Sequence, residues 1–77
     1  MNNEFPELPN DVADAIETLP EDILSQIQFQ MIMFSGQEAI RNPRALASEK
    51  AFRRYMKRCE EEYCRCIRKA ARELERG

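Results

Sequence analysis

Three cysteines, Cys59, Cys64 and Cys66, are the side chains best suited to covalent or metal chemistry, and the chain has no histidine to accompany them. A structural zinc site takes four ligands, commonly in C-x2-4-C pairs or with histidines. Three thiols, two of them in a C-x-C that points two ways on a helix, fall short of that set. Residues five or seven apart on one helix are also too distant for the ~5.5 Å Cα separation of a disulfide. Free thiols in a reducing compartment are the expectation. Cys59 and Cys66 share an apolar helical seam, where cysteine behaves as a small hydrophobe. Cys64 falls outside that seam and is the expected reactive or intermolecular thiol. With no histidine there is no ready general base near neutrality, and the sequence has no Gly-rich phosphate loop, nucleophile elbow or paired-carboxylate arrangement. The expectation is a non-enzymatic protein with no metal and no cofactor.

The charged residues are the second chemical feature. All twelve Lys and Arg lie from Arg41 onward, against six acids there, while residues 1–40 carry eight acids and no base. The net charge of −2 therefore conceals a dipolar chain, whose halves either lie against each other or await partners of opposite sign. Arg53, Arg54, Lys57, Arg58, Arg65, Arg68, Lys69 and Arg72 fill one arc of a helical wheel. Such a strip can neutralise phosphates. It can equally be a solvated face with local ion pairs: Glu49–Arg53, Glu61–Arg65 and Lys69–Glu73 stand at i,i+4, as do Lys57–Glu61 and Arg58–Glu62 in the weaker orientation. Glu60-Glu61-Glu62 interrupts the strip, and no aromatic interleaving is present to stack bases. Asp11, Asp14, Glu21 and Asp22 suit the first turns of helices, where the dipole favours acids. The remaining acids give solubility, or let short helices imitate phosphate spacing towards a basic groove.

These side chains must be positioned by helices. Residues 1–9 contain two prolines and no period, so an extended arm anchored by Phe5 and Leu8 is expected. Asn10 reads as an N-cap, and Val12, Ala15, Ile16 and Leu19 predict a short helix over about residues 11–18. Pro20 ends it and suits the first position of the next. There Ile23, Leu24, Ile27, Met31 and Phe34 form one stripe, and Phe29, Ile32 and Met33 fall on the opposite side. A helix apolar nearly all round cannot be satisfied at the surface of a small monomer. Ser35-Gly36 weakens or ends this helix, or it continues over Gln37–Arg41 at a cost of about 1 kcal/mol for the glycine. Leu19-Pro20-Glu21-Asp22-Ile23-Leu24, followed by Ile27, resembles the opening of an F-box, the helical adaptor module of ubiquitin ligases. The likeness spans about nine residues, and the later helices of that module have no counterpart, so it carries no family assignment.

Asn42-Pro43 opens the last element, and from Pro43 to Arg76 nothing breaks a helix. Phe52, Met56, Cys59, Tyr63, Cys66 and Ala70 make its apolar seam, flanked by Tyr55, Ile67 and Leu74. Thirty-four helical residues span roughly 51 Å, more than the ~30 Å of a compact chain this size. The helix is thus expected to overhang unless it breaks near Ser48, and an overhanging apolar seam needs a partner.

The fold expected is all-α: an extended arm (1–9), an acidic helical part of two short-to-medium helices (10–41) and a long basic amphipathic helix (42–77), forming one small domain. At 77 residues such a domain is near the lower limit for a self-sufficient core. No run of 18 apolar residues predicts a membrane span, and the first residues lack the basic start and apolar run of a signal peptide. Membrane partners are not expected, and the default compartment is the cytoplasm. The function expected is binding. Phe29, Ile32 and Met33 supply an apolar surface for a larger protein or a second copy, and the basic face orients the encounter. Small polar chains without catalytic groups are frequent among phage and mobile-element accessory proteins that inhibit a host enzyme, an analogy of type. The alternative is a nucleic-acid-binding regulator using the basic face.

Overall fold

In the computed structural model, which describes residues 8–76, three α-helices follow one another: α1 (Asn10–Thr18), α2 (Glu21–Arg41) and α3 (Glu49–Arg76). A short 3₁₀ turn, Pro43–Leu46, joins α2 to α3. The all-α architecture read from the periodicity is therefore the one observed. Residues 1–7 of the expected extended arm, with its anchor Phe5, lie outside the described residues. Leu8, the other anchor, packs against the core.

Both early helices start beneath a proline. Pro9 (φ −55°, ψ 148°) and Pro20 (φ −60°, ψ 151°) hold the extended geometry that precedes a first turn. Their carbonyls accept the Ala13 and Leu24 amides at 3.0 Å. Asn10 is already helical and its side chain caps nothing, which corrects its expected role as N-cap. Because the helix starts a residue early, Asp11 but not Asp14 falls in its first turn. α2 runs straight through Ser35-Gly36 to Arg41. A single helical glycine costs only about 1 kcal/mol, less than the packing of the turns on either side returns.

The last element is not one helix from Pro43 to Arg76. The chain turns through Pro43–Leu46, with Ala45 fully buried, and α3 starts afresh at Glu49. Ser48 caps it, its Oγ accepting the Ala51 amide at 3.1 Å, a geometry that satisfies one of the orphan N–H groups of the first turn. The break lies where the length argument placed it. It lets α3 run back along α2 instead of away from it.

α3 has 28 residues and so spans ~42 Å, close to the longest dimension of the molecule, 43 × 31 × 16 Å. The radius of gyration, 13.9 Å, exceeds the ~11.5 Å of a compact chain of this length. The core is correspondingly small. Val12, Leu19, Ile27, Cys64 and Ile67 form it, with Ile23, Met31, Cys66 and Ala70 partly buried around them. α1 and α2 both pack on α3, and Ile67 of α3 and Val12 of α1 are the largest fully buried side chains.

The buried arc of α3 is turned relative to the seam read from spacing. Ile67, placed at the flank, is at the centre; Cys64, placed outside, is buried. Phe52 and Met56, placed within, remain 41% and 46% exposed. The physical reason is that α1 covers only the C-terminal half of α3, on its Cys64–Ile67 side. The equivalent strip of the N-terminal half is left open. Among the described residues no helix is long and apolar enough to cross a membrane.

With so few buried side chains, deleting one at the centre is severe. Ile67→Ala is expected to cost about 3 kcal/mol, a large share of what a domain this small holds in reserve. Urea denaturation followed by circular dichroism measures it, and a loss below 1 kcal/mol would show that Ile67 is not the keystone.

Candidate functional site

α2 presents two apolar faces. Ile23, Ile27 and Met31 turn towards α3, while Phe29, Ile32, Met33 and Ile40 face outwards with exposures of 64%, 67%, 51% and 83%. Spacings of three and four place these four residues on one stripe, with Gly36 between Met33 and Ile40. The structure thus gathers Phe29, Ile32 and Met33 as the spacing implied, and adds Ile40. Ile40 escapes the sequence reading because Ser35-Gly36 suggests a helix end. Continuing the 3.6-residue period across Gly36 reveals it. No charged residue occurs from Ile23 to Gln37, so the stripe is flanked by glutamines and serine rather than by ions.

α3 carries a second, smaller apolar hollow of about 400 Å³ at Phe52 and Met56, rimmed by Glu49, Arg53, Lys57 and Glu60. Between α2 and the C-terminal half of α3 runs a groove of about 640 Å³, with Ile27, Met31 and Cys66 on its floor and Glu62, Arg65 and Lys69 at its rim. Its rim carries charges of both signs, and within it the Cys66 thiol donates to the Glu62 carboxylate at 3.7 Å. The hydroxyl of Tyr55 ties the helices together by donating to the Ser35 carbonyl at 2.8 Å.

The basic arc divides into two sets. Arg53 pairs with Glu49 at 2.8 Å, as the i,i+4 spacing implied. Arg65 takes Glu62 rather than Glu61, forming two hydrogen bonds to its carboxylate. Arg58 turns to Glu38 on α2 at 3.3 Å rather than to Glu62, and Arg68 bridges to Asp11 on α1 through both Nε and Nη2, at 2.8 and 3.2 Å. Glu38 is buried between Arg58 and Arg41. Two of these pairs join the acidic part of the chain to the basic part, which spacing along one helix cannot reveal. Arg54, Lys57, Lys69 and Arg72 have no carboxylate within 4.0 Å among the described residues.

Cys64 does not lie outside the apolar face as its wheel position suggested. It is buried in the core, and burial pushes its pKa up against the opposing charge of Arg68, with Glu60, Asp11 and Glu61 adding to the rise. Burial likewise raises Cys59 and Cys66. All three are free. The wheel misplaces Cys64 because it assigns α3 a single partner, whereas α1 covers a second strip. Among the described residues no three potential ligands converge on a metal-sized site. Compared with protein-family models, with curated proteins and with solved structures, the chain matches none of them.

Two outcomes follow from these environments. Alkylation of Cys64 by iodoacetamide at pH 7.5 is expected to be at least about tenfold slower in the native protein than in urea, because the thiolate is the nucleophile; mass spectrometry of the peptide reads it, and equal rates would place Cys64 at the surface. Arg68 holds the Asp11 carboxyl below its ordinary range, chiefly by hydrogen bonding and further by its charge. A depressed folded-state pKa adds stability above the unfolded value and loses it as pH falls through the folded one. Asp11→Asn should therefore destabilise at pH 7, with the gap to the parent closing as pH falls below ~3.9 towards ~2. Urea midpoints at the two pH values measure it, and an unchanged gap would assign the effect to something other than this ion pair.

Proposed function

We propose that this protein is a small, non-enzymatic interaction module that works by occupying a surface on another protein. The observation that carries the reading is the outer face of α2. Phe29, Ile32, Met33 and Ile40 lie together and exposed on the side of the helix turned away from α3. Large contiguous apolar patches are uncommon on a monomer that works alone, and mark interaction sites. Aromatic and Met side chains are also the types enriched at the centres of such interfaces. Inhibition of a larger enzyme by occupancy, the role frequent among phage and mobile-element accessory proteins, is the form of activity proposed.

The basic face is assigned to steering. Four of its eight members, Arg53, Arg58, Arg65 and Arg68, are engaged with carboxylates of the same chain. That leaves less positive charge for phosphate than the sequence count suggests, and favours a protein partner over the nucleic-acid alternative. Rim charges of this kind act mainly on association rates.

The test is affinity capture from the native cell with the parent protein and with Ile32→Asp, followed by reconstitution of the captured protein with each purified variant. Ile32→Asp is expected to keep the helical spectrum and to weaken binding by about a hundredfold, the scale of a central hot spot. Arg54→Glu with Arg72→Glu should slow association several-fold and leave dissociation unchanged; Arg68 is avoided because it holds α1. Loss of binding in the charge variant with retention in Ile32→Asp would transfer the function to the basic face.

A further inference from the structure

The outer face of α2 is built to receive a second copy of itself, and we infer that the protein forms an antiparallel α2–α2 homodimer. The inference rests on the interaction reading above and names the partner of that same surface.

Three observations carry it. The first is charge. α2 has Glu21 and Asp22 in its first turn and Arg41 in its last, followed by Arg44 in the 3₁₀ turn. The stretch between carries no ion until Glu38, which is turned inwards to Arg58. Two such helices side by side in parallel set acids against acids and arginines against arginines. Antiparallel, the acidic end of each lies towards the basic end of the other, offset from its Arg41 by roughly 10 Å along the axis when the two-fold lies between Phe34 and Ser35. A two-fold axis produces that arrangement at both ends at once, because an isologous interface repeats every contact.

The second observation is the symmetry of the stripe. Phe29 and Ile40 lie equally far from a centre between Phe34 and Ser35, and so do Met33 and Gly36. Rotation about that centre brings Phe29 opposite Ile40 and Met33 opposite Gly36. The third is Gly36 itself. Its φ is not in the left-handed region and a Cβ built on it meets nothing within 4 Å, so neither backbone geometry nor crowding within the chain requires glycine there. A helical glycine is otherwise a cost. Opposite Met33 of the second copy it becomes a hole into which a knob fits, as helix pairs require for close approach.

One helix face per subunit makes an interface at the small end of the range. The dimer should accordingly be reversible and depend on concentration in the micromolar range, about 5–500 µM.

Sedimentation equilibrium of the full chain over that range is the experiment, at low salt. The parent is expected to move from monomer to dimer, with Ile32→Asp monomeric and still helical. Gly36→Leu adds apolar surface yet fills the hole, so it should weaken the dimer about tenfold or more, whereas a merely sticky patch would bind more tightly. Glu21→Lys with Asp22→Lys should weaken association several-fold, and adding Arg44→Glu, which leaves the Arg41–Glu38 pair intact, should restore part of it; a parallel pair would be indifferent to the first change. A parent that stays monomeric, or a Gly36→Leu variant that dimerises more strongly, overturns the inference. In the monomeric case, capture of another protein that is lost in Ile32→Asp preserves the interaction reading, while a monomer whose captures ignore Ile32→Asp removes both.

Discussion

The packing of α1 and α2 against the C-terminal half of α3, centred on Ile67, is the constraint on which everything else in this protein depends. Ile67 is fully buried and shares a cluster with Val12 of α1 and Ile27 of α2. Burying an aliphatic side chain fully contributes about 2 kcal/mol, so a cluster this small leaves little margin against the entropy of ordering the chain. The exposed pair Asp11–Arg68 adds direction more than energy, since exposed pairs are worth little, while Arg58 supplies the opposite charge to the buried Glu38 carboxylate. The two pairs fix which side of α3 each acidic helix takes.

From that arrangement the open surfaces follow. α3 is long because it alone spans the molecule, and α1 is too short to cover its whole length. Phe52 and Met56 therefore stay open in the N-terminal half. α2 gives one face to α3, and among the described residues nothing covers the other. A larger protein would lay further helices over such a face. The apolar outer face of α2 is thus the feature on which the proposed binding role rests.

Much of the fold is legible in the sequence because it is written in local signals. The prolines at 9, 20 and 43 punctuate the helices, the 3–4 spacing of Ile23, Ile27 and Met31 marks the inner face of α2, and the opposite spacing of Phe29, Ile32 and Met33 marks its outer face. Other features misled for identifiable reasons. Gly36 looks like an end because glycine is poor in helices, and it conceals Ile40 on the same stripe. Cys64 looks solvent-facing because a helical wheel assumes one partner. The local pairs Glu61–Arg65 and Arg58–Glu62 lose to Glu62 and Glu38, which offer a better-placed carboxylate from the next position or from another helix.

The sequence by itself determined the all-helical class, the amphipathic character of the last helix and the apolar outer stripe of α2. These depend on periodicity and backbone stereochemistry, which are properties of neighbours in the chain. Only the tertiary structure decided which arc of α3 is buried, that Cys64 lies in the core, and which arginines hold the acidic helices. Those outcomes depend on where α1 and α2 settle on a common helix, and no spacing within a single helix encodes the position of another.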